Sequence, residues 1–269
     1  MDFRPVTEVV GDWVTEEQVD RFCHRYWWAA SHCVGKDALE VACGTGQGLS
    51  LLAKVARSLE AGDVSPPILD IARSQYGSSV RIREFSADDM PIATSSKDVV
   101  LLLEALYYLP NPDRFLTEAK RVLRGGGKIL FATANKDLYD FNPSPHSFGY
   151  LGVVELDSWL GCHGFTSQFF GFSSISAASR RQRLLRPIKK LAVVLGVIPK
   201  TMTGKRFLKR LVFGRLVTMP ADIDDADFFY TPPEPLDPAV PDRNYKVIYC
   251  VATLNPQPGE IERTRSASE

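Results

Sequence analysis

The chain has 269 residues, 45% of them hydrophobic, with 32 basic and 32 acidic side chains and a formal net charge of zero. That is the composition of a soluble globular protein with room for a full core, and an even charge balance by itself attracts no polyanion. The five cysteines, at 23, 33, 43, 162 and 250, show no Cys-x-x-Cys spacing, which excludes a zinc ribbon and a disulfide framework and suits a reducing cytosol. No metal site is expected. Met1-Asp2-Phe3-Arg4-Pro5 lacks the apolar run of a signal peptide, and Leu191 to Ile198 is too short to span a bilayer. The expected location is cytoplasmic, with peripheral membrane attachment as an addition discussed below.

Residues 1–14 read as irregular. Thr15-Glu16-Glu17-Gln18 is a capping-box pattern that predicts a helix, with Val19, Phe22, Cys23, Tyr26, Trp27 and Ala30 on its apolar face. Strands are expected near 38–43, 58–63, 80–85, 98–103 and 128–133, alternating with helical patterns at 48–57, 66–76 and 111–123. Such alternation means parallel strands joined by crossover helices. A helix at 154–162, a strand at 165–171 and a last strand, Tyr245 to Leu254, follow. The fold class is α/β: a doubly wound, mostly parallel sheet of seven strands. The expected parts are a helical cap (1–35), the core (36–172 with 244–255), an insertion (173–243) and a loose tail (256–269).

The first strand runs into Glu40-Val41-Ala42-Cys43-Gly44-Thr45-Gly46-Gln47-Gly48 and then a helical pattern. Glycines there let the backbone approach a ligand, and the free N–H groups of a helix start hold anions. A dinucleotide fingerprint would need Gly or Ala where Leu49 stands, which disfavours NAD and FAD. The form Glu-x-x-Cys-Gly-Thr-Gly instead resembles motif I of the class I S-adenosylmethionine-dependent methyltransferases. Four later blocks resemble that family in order: Gly62-Asp63-Val64, Ser86-Ala87-Asp88-Asp89, Asp98 to Glu104, and Val122 to Leu130 with its three glycines. The resemblance covers roughly residues 36–170 and is that of a methyltransferase type 11-like domain with a Rossmann-like sheet.

The resemblance implies S-adenosylmethionine as cofactor and gives roles to residues. Gly44 and Gly46 contact the cofactor. Asp63, with Val64 beside it, holds the ribose hydroxyls. Glu40 orients the glycine loop and the methionyl end. Ala87 offers a backbone N–H to the adenine, while Asp88 or Ser86 takes its amino group, because the usual Gly-Asp-Ala is absent. Glu104 faces the transferred methyl group, and Tyr107-Tyr108 beside it serve either the acceptor or the core. Arg25-Tyr26 resembles a pair that closes over the cofactor in relatives; an arginine there would pair with a carboxylate, or lie at the surface. His146 is the candidate catalytic base, being the one histidine in a loop at the sheet's carboxyl edge; the alternative is a loop histidine that only hydrogen-bonds.

About 70 residues separate the last two strands, where the family usually has a tight hairpin. From Ser173 to Ala221 there is no acidic residue, while twelve Lys or Arg fall between Arg180 and Arg215. Aliphatic residues recur there at helical spacing, which predicts two basic amphipathic helices followed by an acidic, proline-rich loop, Asp222 to Asp242, that can fold back on them. Residues 180–216 could lid the acceptor side of the cleft, or reach an anionic membrane surface or a lipid-linked substrate. Interleaving with aliphatics rather than stacking aromatics argues against nucleic acid. The reading is methylation of a small-molecule acceptor, on oxygen, in bacterial glycan or natural-product biosynthesis. The alternatives are an RNA methyltransferase and a non-catalytic protein that binds the cofactor. The acceptor and the oligomeric state are not legible.

Overall fold

In the computed structural model, which describes residues 8–144, 146–175, 216–223 and 228–256, the Thr15 box starts helix α1 (Glu16–Cys33). Gln18 N–H donates to Thr15 Oγ1 and Thr15 N–H to Gln18 Oε1, both at 3.2 Å, so each satisfies a donor of the other. Phe22, Cys23, Tyr26 and Ala30 are buried as the pattern predicts. Trp27 is not: it is 39% exposed, and Trp28 is buried instead, stacked on Tyr249 at 4.5 Å. The buried arc of α1 is wider than one stripe, taking in His24, Arg25 and Ala29, because the helix meets the sheet on one side and the glycine turn on another.

The strands are β1 (Trp13–Thr15), β2 (Asp37–Val41), β3 (Ser58–Asp63), β4 (Arg81–Glu84), β5 (Lys97–Leu103), β6 (Leu123–Ala134), β7 (Phe165–Ser174), β8 (Leu216–Thr218), β9 (Glu234–Leu236) and β10 (Tyr245–Leu254). The remaining helices are α2 (Leu49–Val55), α3 (Pro66–Tyr76), α4 (Pro112–Val122) and α5 (Val153–Cys162). The main sheet has the order β4-β3-β2-β5-β6-β10-β7-β9. Its first five strands are parallel; β10 enters antiparallel between β6 and β7. The sheet is eight-stranded rather than seven. The extra strand, β9, comes from the acidic stretch expected as a loop, and its Pro235 is tolerated because only one neighbour pairs with this edge. A second, two-stranded sheet joins β1 to β8, so Trp13 and Val14, expected to be irregular, are in a strand.

Alternation along the parallel strands sorts side chains onto two covered faces. Leu39, Val41, Val100, Leu102, Ile129 and Phe131 pack against Phe115 and Leu116 of α4 and Leu156 and Leu160 of α5. Ala38, Val99, Leu101, Leu130 and Ala132 pack against α1 and α2. Glu40, two residues after Ala38, therefore points to the α1 side.

The expected basic helices lie, Leu216 apart, outside the described residues, as does the tail after Pro256. Residues 221–223 of the insertion are described and lie against α2, α3 and the glycine turn. Ser50 Oγ donates to Asp222 Oδ1 at 2.5 Å, Gln75 Nε2 to the Ala221 carbonyl at 2.7 Å, and Ile223 N–H to the Gln47 carbonyl at 3.2 Å. Among the described residues no helix is long and apolar enough to cross a membrane.

Candidate functional site

A cavity of about 580 Å³ opens at the carboxyl ends of β2, β3 and β5, where chain direction diverges about β2 and β5 and open α/β sheets bind ligands. The turn after β2 reaches it through three residues with positive φ: Ala42 (58°), Gly44 (59°) and Gly46 (85°). Two glycines bear this conformation at little cost; Ala42 is a strained exception of the kind found at ligand sites. Gly46 does not line the cavity. A Cβ there would fall 3.1 Å from Ala72, Leu49 and Tyr76, so its smallness lets α2 and α3 close behind the turn.

Asp63 ends β3 and is 8% exposed, in the cavity wall. It accepts from Gly44 N–H at 3.1 Å and Ser65 N–H at 3.0 Å, tying the glycine turn to the start of α3. Burial raises its pKa, opposed by the backbone N–H groups of Ser65, Gly44 and Val64.

Beneath the turn, Tyr26 donates to Glu40 Oε1 at 2.6 Å. Gly48 makes this contact possible: a Cβ on it would lie 2.2 Å from the Tyr26 ring. Glu40 is 1% exposed, and its Oε2 has no hydrogen-bond partner. Burial pushes its carboxyl up to about 7, against the pull of the Tyr26 hydroxyl and the Arg25 charge. Burial likewise raises the Tyr26 phenol, as does the Glu40 carboxylate. Arg25 is ion-paired with Glu8, lies 4.5 Å over the Phe22 ring, and keeps a buried Nε without a partner. It is a buried cavity-wall residue, not a surface arginine.

On the far side Glu104 has φ 55° and accepts from the Tyr107 hydroxyl at 2.7 Å. Tyr107 stacks on Tyr150 at 4.4 Å, and burial, with the Glu104 carboxylate next, raises its phenol. Tyr108 shares a 2.5 Å hydrogen bond with Ser144, whose backbone N–H in turn donates to the Tyr150 hydroxyl at 3.0 Å.

Of the residues expected at the cofactor, Tyr26, Gly44, Asp63, Val64, Ala87 and Glu104 line this one cavity. Gly46 and Glu40 stand behind it. Asp88 is not in the wall; its carboxylate is 3.9 Å from Arg114, and Ser86 lines the cavity instead. His146 is exposed with φ 68° and is absent from the wall, although Ser144 and Phe148 on either side belong to it. Phe85, Gln47, Glu8, Arg21 and Lys246 line the cavity without having been expected there. Gln47 and Thr45 were legible as part of the glycine turn. The others carry no local pattern.

The set fits an adenosyl amino acid. Val64 and Phe85 offer apolar surface beside Ser86 and Ala87, Asp63 offers acceptors to a diol, and Arg25 in the wall and Glu40 behind it, each with a buried unpartnered atom, are of the charges an amino-acid end requires.

Comparison with known proteins agrees with this geometry. Residues 39–131 match the family model described as a methyltransferase domain. A probable S-adenosylmethionine-dependent methyltransferase of Mycobacterium tuberculosis is 31% identical over 165 residues, which are 60% of this chain and 58% of that protein. A ubiquinone biosynthesis O-methyltransferase of Pseudomonas savastanoi is 28% identical over 152 residues, 54% of this chain and 63% of that one. This chain therefore spans less than two thirds of these relatives' length. Among solved structures, the YcgJ protein of Bacillus subtilis superposes with a TM-score of 0.57 at 12% identity, covering 87% of this chain and 99% of that one, and so shares the fold.

Proposed function

From a chain that carries a class I S-adenosylmethionine-dependent methyltransferase domain, we propose that this protein methylates a small-molecule acceptor on oxygen, in the biosynthesis of a bacterial glycan or natural product. The observation that carries the reading is the convergence of Gly44, Asp63, Ala87 and Tyr26 on one cavity, with Glu104 and Tyr107 at its far wall. When bound, the cofactor supplies an electrophilic methyl group on a sulfonium. The chain's part is alignment and exclusion of water, for which no covalent catalysis is needed. Asp63 would hold the ribose, Ser86 and Ala87 the adenine edge, and Glu40 with Arg25 the amino-acid end.

A hydroxyl acceptor must also lose its proton. We assign that task to the Glu104–Tyr107 pair, which lines the cavity and is joined by a 2.7 Å hydrogen bond, in preference to the exposed His146. The oxygen acceptor is supported by the similarity to a ubiquinone biosynthesis O-methyltransferase. A lid or membrane-facing role for 180–216 is part of the same proposal.

The test is methyl-labelled S-adenosylmethionine given to the protein together with a bacterial small-molecule extract or with total RNA. Label in the small-molecule fraction is the expected result. Transfer to RNA alone, or to neither while the cofactor binds, would overturn the reading.

A further inference from the structure

We propose that the methyl acceptor is an anion, and that Arg21, with Lys246 beside it, is the anchor for a carboxylate or phosphate on it. The inference rests on the methyltransferase reading above and names the substrate class of that site.

The cavity divides along the sheet edge. Asp63 on β3, Gly44 after β2 and Glu104 after β5 occupy the stretch the cofactor would need. From β3 to β10 are four inter-strand steps, roughly 19 Å. Because β10 is antiparallel, its first residues lie at this same edge: Val247 pairs with Ala134, the last residue of β6. Ala134, Lys246 and Val247 therefore close the end left for the acceptor.

Helix α1 crosses the edge diagonally. Its first turn stands at β10, where Lys246 bonds Glu17, and its eleventh residue, Tyr26, reaches β2 and bonds Glu40. Arg21 lies between these points, about 6 Å along the helix from Glu17, and lines the cavity. The three cations of the wall are not equivalent. Arg25 is ion-paired with Glu8 and stands at the end assigned to the cofactor, and Lys246 is paired with Glu17, which also accepts from Ser173 at 3.4 Å. Arg21 has no ion pair within 4.0 Å among the described residues, and its Nε is shut from water without a hydrogen-bond partner. Two cations thus face one carboxylate at the acceptor end. Since Nε is shut in, the rest of the guanidinium fork is what a ligand in the cavity meets, and that planar fork matches carboxylate and phosphate oxygens.

The test uses the full chain saturated with S-adenosylhomocysteine and titrated with benzoate, phenyl phosphate and the neutral benzamide. Benzoate or phenyl phosphate is expected to bind and benzamide to fail; which anion binds tighter separates a carboxylate acceptor from a phosphorylated one. Arg21→Gln is expected to weaken the anion by about tenfold while leaving affinity for S-adenosylhomocysteine unchanged, and Arg21→Lys to keep part of the anion affinity. Equal binding of benzamide and benzoate by the wild type, a comparison that needs no variant, would overturn the inference. So would anion affinity untouched by Arg21→Gln. Loss of S-adenosylhomocysteine affinity in that variant would also overturn it, placing Arg21 on the cofactor. No S-adenosylhomocysteine binding by the wild type would take down the methyltransferase reading itself, and this inference with it.

Discussion

Glu40 shows how one buried carboxylate can link the cofactor to pH. Its carboxyl is pushed up to about 7 by burial, while one oxygen lacks a partner. A folded-state pKa above the unfolded one means that its contribution to stability is full below about pH 4.5 and is lost as pH rises through about 7. An ammonium in the cavity in front of Glu40 favours the ionised form through its charge, so binding should release a proton within this window and affinity should rise with pH. Calorimetry of S-adenosylhomocysteine near pH 6 in two buffers of different ionisation heat is expected to show that release, and Glu40→Gln to abolish it. Heats independent of buffer would remove Glu40 from the amino-acid end. His24 behaves oppositely. Its ring is fixed between the Tyr249 hydroxyl (2.9 Å) and the Thr231 carbonyl (2.7 Å), and burial lowers its pKa to about 4. Its contribution is full above about pH 6.5 and is lost as pH falls toward 4. Because Glu40 acts with opposite sign over nearly the same range, the check is the difference in urea stability between wild type and His24→Gln. That difference should shrink on acidification; a constant difference would contradict the assignment.

At the scale of elements, close approach decides where the walls stand. Gly62 in β3 has no Cβ because the Phe85 ring occupies that space; an added one would lie 2.0 Å from the ring. Gly62→Ala should displace Phe85 and cost about 1–3 kcal/mol by overpacking, read from denaturant unfolding, and weaken cofactor binding from the adenine side. Retained stability with unchanged affinity would show that the ring yields freely. The elements that carry this wall were legible because their signals are local. The strand–glycine turn–helix of 38–56 and the Asp63 strand end each lie within one run of residues. Trp27 was misplaced because a single apolar stripe was assumed for a helix that is covered on two sides. β9 was missed because it is three residues in a proline-rich, acidic stretch and exists through pairing with β7. Arg21 and Lys246 were silent for a related reason: one is on α1 and the other on β10, and only the fold brings both to the cavity wall.

Over the whole molecule, the order of the strands explains why so distant residues share a cavity. Antiparallel β10 starts at the carboxyl edge, and so places Lys246 and Val247 in a site otherwise built before residue 150. After residues 176–215, β8 pairs with β1, and Asp222 and Ile223 bond to α2 and the glycine turn. The insertion is thus tied at its return to the cofactor end of the cleft. The central claim is that this cleft holds S-adenosylmethionine on Asp63. It is tested most directly by calorimetry of S-adenosylhomocysteine with wild type and Asp63→Ala. The account predicts saturable binding by the wild type, weakened by roughly 1–3 kcal/mol in the variant as charge-assisted hydrogen bonds are lost. No binding by the wild type, or equal affinity in a folded Asp63→Ala protein, would contradict it.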